Sequence, residues 1–128
     1  MFRCGAQEIK IIITTRSEKV ASIVHPISSH HLMQLSDEDC WLLFAKHAFK
    51  NGKSSENLDI ELIGREIVRK CKGLPLAAKA LGGMLQFKQD LKEWKQILES
   101  DIWDLPEGES YILPALRLSY HYLSSHLK

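Results

Sequence analysis

Cys71-Lys72-Gly73-Leu74-Pro75-Leu76-Ala77-Ala78-Lys79-Ala80-Leu81-Gly82-Gly83 ends one helix, turns and begins another within a few residues. Glycine closes helices because it adopts a left-handed conformation just past the last turn at little cost, which is the position Gly73 occupies in this pattern. Pro75 has no amide hydrogen to leave unpaired, and its fixed φ suits the first helical position. Leu76, Ala77, Ala80, Leu81 and Met84 then recur at helical spacing, and the small residues at 77, 78 and 80 permit close approach of another backbone. These thirteen residues predict a tight helix–turn–helix joint set in a helical core.

Helical patterns continue on both sides of the joint. Before it, residues 58–72 place Ile60, Ile63, Ile67, Val68 and Cys71 on one inner face. After it, Leu91, Trp94, Ile97 and Leu98 mark another helix, with Lys88, Asp90, Lys92, Glu93 and Lys95 on its wet side. Further upstream, Ser36-Asp37-Glu38-Asp39 combines a favoured N-cap with acids suited to the positive end of a helix dipole. Cys40, Trp41, Phe44, Ala48 and Phe49 follow on one stripe, with Trp41 as a core anchor. Four helices joined by short loops predict a small bundle, and hence a mainly α chain. Residues 101–109 break the pattern and read as a linker in which Trp103 is expected to be buried. Residues 113–123 form a last amphipathic helix.

The start of the chain differs. Lys10-Ile11-Ile12-Ile13-Thr14-Thr15 is a β-branched run with apolar residues at consecutive positions, as in a strand covered on both faces of a parallel sheet. His31-Leu32-Met33-Gln34-Leu35 is a second, shorter candidate. Two strands leave most of a sheet unaccounted for, so the chain is expected to begin inside a domain. Ligands gather at the carboxyl ends of such strands, which places Thr14, Thr15, Arg16 and Ser17 either at a site edge or in a solvated loop.

Composition excludes several classes. Lys+Arg 17 against Asp+Glu 16 gives a net charge of +1, without the basic footprint of a nucleic-acid or anionic-membrane binder. No apolar run approaches the roughly 20 residues of a membrane span, and Met1-Phe2-Arg3-Cys4-Gly5 lacks the features of a signal peptide. Cys4, Cys40 and Cys71 lack metal-ligand spacing, as do His30, His31 and His47, so no metal site is expected. Reduced thiols are expected, with Cys40 and Cys71 as small hydrophobes. Gly52-Lys53-Ser54 has neither the upstream glycine nor the preceding strand of a phosphate-binding P-loop.

Gly73-Leu74-Pro75-Leu76, after Gly64-Arg65-Glu66-Ile67-Val68-Arg69-Lys70-Cys71-Lys72, resembles the GLPL motif of NB-ARC proteins, specifically plant NBS-LRR disease-resistance proteins. Residues 10–21 resemble that family's segment ending in a nucleotide-sensing threonine–arginine pair, although Glu8-Ile9 stands where Gly-Ser is common. Residues 35–44 resemble the next block, and the helix near 113–123 resembles the opening of the winged-helix subdomain, with Leu123-Ser124 in place of Leu-Pro. The blocks follow the family's order along nearly the whole chain. The resemblance implies the C-terminal edge of a P-loop α/β nucleotide-binding domain at 1–35, a helical subdomain at 36–103 and the start of a winged helix at 104–128. It implies an ADP/ATP-dependent switch in plant defence, acting in the cytoplasm, with the remaining NB-ARC and leucine-rich-repeat parts of the intact protein as partners. Thr15, Arg16, Gly73, Leu74, Pro75 and Leu76 would be its nucleotide-binding residues, with Arg16 facing the γ-phosphate and Pro75 touching the nucleotide from the helical side. The family's P-loop lysine, magnesium-binding acids and winged-helix histidine motif have no counterpart in these 128 residues. No catalytic residue is therefore implied, and Mg²⁺ would enter only in the intact protein. The alternatives are a nucleotide-independent helical adaptor, a decayed remnant of such a protein, or a helix-turn-helix DNA binder, which the near-neutral charge disfavours.

Overall fold

Side-chain caps set where most of the helices begin. In a computed structural model that describes residues 8–50, 57–104 and 114–122, Ser17, Ser36, Asn57 and Asp90 are N-caps whose side chains accept first-turn amides. They open α1 (Glu18–Val24), α2 (Asp37–Ala48), α3 (Leu58–Lys70) and α5 (Leu91–Leu98). α4 (Pro75–Leu85) starts on Pro75 after Leu74, with no side-chain cap. A 3₁₀ turn at Asp101–Asp104 and α6 (Pro114–His121) complete the order. The mainly α expectation holds, and the helix near 58–72 ends at Lys70 instead of running to the turn. α1 was not legible as a helix, although Ser17 is a good cap for it.

The chain divides into two units, Met1–Leu32 and Met33–Lys128. In the first, the strand expected at residues 10–15 is not formed: Ile11, Ile12 and Ile13 are 78%, 91% and 56% exposed, and no residue in it pairs with another strand. A strand exists through its ladder of hydrogen bonds, and the described residues supply no neighbouring strand. The second candidate, residues 31–35, is likewise not a strand.

The second unit is the bundle. α2 packs chiefly on α4, α3 on α5 and α2, and α6 on α4 and the 3₁₀ turn. Its core joins Cys40, Trp41, Phe44, Ala45 and Ala48 to Ile67, Val68 and Cys71, and to Ala77, Ala78, Leu81 and Leu85. Trp94 and Ile97 of α5 and Ala115 and Leu118 of α6 close it. Phe49 and Phe44 flank the Trp94 ring at centroid distances of 5.9 and 6.1 Å, stacked and edge-on respectively. Trp94 donates its indole N–H to the Lys88 carbonyl at 2.8 Å, and Trp103, half-buried, donates to that of Ile97 at 2.7 Å. Each ring thus meets its polar requirement inside an apolar setting. The loop motif at residues 52–54, the linker from 105 on and the end of the last helix lie outside the described residues.

α2 and α4 meet through Gly82. A Cβ there would lie 2.6 Å from the Phe44 carbonyl oxygen and 3.0 Å from His47 Cβ, so only hydrogen fits between the helices. The neighbouring Gly83 faces open space.

Candidate functional site

The joint between α3 and α4 holds the left-handed residues of the bundle among those described. Cys71 is the C-cap of α3, and Lys72 and Gly73 follow with φ of 52° and 71°. The left-handed turn therefore starts one residue before the expected glycine, on a lysine that has a Cβ to accommodate. Amides of Lys72 and Leu74 donate to the carbonyls of Arg69 and Cys71, both at 3.1 Å, which rounds off the helix end.

Gly73 is buried for a second reason. The Leu35 amide donates to its carbonyl at 2.9 Å, and a Cβ at Gly73 would sit 2.5 Å from the Leu35 carbonyl oxygen. Its backbone also lies against the Cys40 thiol, a fully buried side chain on α2, and opposes the rise that burial gives that thiol. The turn is thus gripped by the chain just before α2 and by the first turn of α2 itself. Sequence reasoning missed this grip, since nothing in the spacing of Leu35 and Gly73 signals it.

Beyond Gly73 the turn opens outward. Leu74 is half-buried against the core, whereas Pro75 and Leu76 are exposed, Leu76 by 59%. With Pro75 at the first position, α4 begins beside these two residues without a side-chain cap. Gly73, Leu74, Pro75 and Leu76 are brought together as one turn with a buried root and an exposed tip.

Thr15 and Arg16 belong to the first unit. Thr15 Oγ1 accepts the Ser17 amide at 3.1 Å, fixing the approach to α1, and both residues are exposed. Arg16 precedes the cap of α1, where its guanidinium is accessible.

The thiols behave as expected of buried hydrophobes. Burial pushes the Cys71 thiol up to about 12, with nearby Cys40 adding to the shift. Cys40 is also raised, first by burial and then by Asp37, while the Gly73 amide opposes the shift. No cluster of His, Cys, Asp and Glu able to hold a metal exists among the described residues. None of the described helices is long and apolar enough to cross a membrane.

Arg65 supports the bundle from outside the turn. Its guanidinium reaches Glu61 on its own helix at 3.1 Å and Glu38 on α2 at 3.2 Å. It also lies 4.7 Å from the centre of the Trp41 ring.

Fold and turn together define a helical-bundle module built on a glycine–proline joint whose tip is exposed. Residues 1–54 match the NB-ARC domain family. The chain is 50% identical over 124 residues to a putative disease resistance RPP13-like protein 1 of Arabidopsis thaliana, covering 97% of this chain and 12% of that protein. It is 50% identical over 129 residues to disease resistance protein RGA2 of Solanum bulbocastanum, covering 100% of the chain and 13% of the relative. Disease resistance protein RPM1 of Arabidopsis thaliana is 34% identical over 104 residues, covering 79% and 11% respectively. The chain belongs to the NB-ARC family. It spans about an eighth of the length of the first two of these relatives.

Proposed function

We propose that this chain is the sensing and hinge-side portion of an ADP/ATP-binding NB-ARC switch in plant defence. The observation that carries the reading is the turn itself: Gly73 is locked at φ 71° under Leu35, and Pro75 and Leu76 stand exposed at the uncapped start of α4. Half-identity to disease resistance proteins runs across this turn and across Thr15-Arg16. In this reading Pro75 and Leu76 meet parts common to ADP and ATP, and Arg16, with Thr15, meets the γ-phosphate that only ATP has. A planar, permanently charged guanidinium suits phosphate oxygens. Such a switch needs each nucleotide to favour a different state.

Residues 1–35 would then be the edge of the nucleotide-binding domain, 36–103 the helical subdomain and 104–128 the start of the winged helix. The P-loop and magnesium-binding acids would come from the rest of an intact, cytoplasmic protein, and its leucine-rich repeats would be the other partner. A helical adaptor that never meets nucleotide is the competing reading.

A chimera tests this: RGA2 with the present chain in place of its matching segment, titrated with ADP and with ATP. Binding of both nucleotides, weakened together by Pro75→Ala, is the expected result. A chimera that folds and binds neither, while unmodified RGA2 binds both, would favour the adaptor.

A further inference from the structure

Lys72 and Gly73 form a left-handed pair, and the first of them carries a side chain. Such backbone persists only where its surroundings over-determine it. Here those surroundings are three contacts on one residue. The Gly73 carbonyl accepts the Leu35 amide, the space beside its Cα is closed by the Leu35 carbonyl oxygen, and its amide meets the Cys40 thiol. Cys40 and Gly73 are buried, Leu35 is half-buried, and the exposed Pro75 lies two residues beyond the grip. The contacts join the start of α2 to the turn.

We propose that Leu35 and Cys40 are positioning residues for the Gly73–Leu76 turn: they fix Gly73 from both sides and so set where Pro75 and Leu76 present themselves to nucleotide. This rests on the nucleotide reading above. Leu35 acts through its main chain, whereas Cys40 acts through a side chain that can be exchanged. Serine keeps an acceptor at nearly the same size, and alanine removes it.

Two experiments test the proposal. In the present chain, the Leu35 amide should exchange slowly with solvent, because it is bonded to Gly73. Gly73→Ala should speed that exchange at least about tenfold relative to the amides of α5, whereas Gly83→Ala should not. Equal protection of Leu35 in all three proteins would overturn the grip. In the RGA2 chimera, Cys40→Ala should raise the dissociation constants for ADP and ATP about fivefold, the scale of one lost polar contact, and Cys40→Ser should restore them to within about twofold. Ile97→Ala, an equally buried truncation on α5, should lower the melting temperature without changing either constant. Matching effects of Cys40→Ala and Ile97→Ala on affinity would overturn the positioning role alone. A wild-type chimera that binds no nucleotide would overturn the nucleotide reading and this role with it.

Discussion

Gly82 and Gly83 are neighbours in the same helix, yet alanine at each should move stability in opposite directions. At Gly82 the added methyl would meet the Phe44 carbonyl at 2.6 Å and His47 Cβ at 3.0 Å. The first of these is backbone, so it cannot swing aside, and α2 must retreat from α4. Forcing an extra carbon into a packed interface costs typically about 1–3 kcal/mol. Better helix propensity returns about 0.5–1 kcal/mol of that, so Gly82→Ala should destabilise by up to about 2.5 kcal/mol. At Gly83 nothing lies within 4 Å, and only the propensity gain remains. Gly83→Ala should therefore stabilise by up to about 1 kcal/mol. Urea denaturation of the present chain, followed by far-ultraviolet circular dichroism, measures both. If the two variants shift the midpoint in the same direction, the close approach of α2 and α4 at Gly82 is wrong.

Hydrogen exchange should separate the two units, with fast exchange at the exposed Ile11, Ile12 and Ile13 and slow exchange through α2, α4 and α5; slow exchange at the isoleucines would mean that they are paired after all. Arg65→Ala removes a link between α2 and α3 and a cation over Trp41, and should cost about 0.5–1.5 kcal/mol in a thermal melt, partly masked by salt because Arg65 is over a third exposed. The Cys71 thiol is held neutral in the folded state up to about 12, from an ordinary value of 9.0. The unfolded state therefore releases its proton first, so stability should fall as pH rises above about 9 and through that window. Comparison with Cys71→Ala, which lacks that titration, should give a flatter alkaline profile; parallel profiles would contradict it. The isolated chain, in which Arg16 is the one cation proposed to meet phosphate, should bind ADP and ATP no better than about millimolar; calorimetry giving a micromolar constant would contradict this.

The bundle was legible because its helices announce themselves by caps and spacing. Ser36 and Pro75 start helices where their chemistry suggests, and Trp94, Ile97 and Leu81 fall on the faces that periodicity assigns to the core. The run Ile11-Ile12-Ile13 misled in a specific way. Its pattern is that of a strand covered on both faces, but a ladder requires a partner strand, which the sequence pattern of one strand cannot supply. At the candidate site, the residues of the turn were legible and their support was not. Left-handed Lys72 has no signature in a propensity scale, and the contacts of Leu35 and Cys40 with Gly73 join residues more than thirty positions apart. Contacts of that range are properties of the packed chain, which local patterns do not encode.

The central claim is that Arg16 distinguishes the two nucleotides while the Pro75 turn holds what they share. Paired ADP and ATP affinities of the RGA2 chimera and its Arg16→Ala variant test it most directly. The account predicts that Arg16→Ala weakens ATP by about 1–3 kcal/mol, the scale of a lost charge-assisted hydrogen bond, and leaves ADP nearly unchanged. An Arg16→Ala chimera that loses both nucleotides equally, or neither, would contradict it.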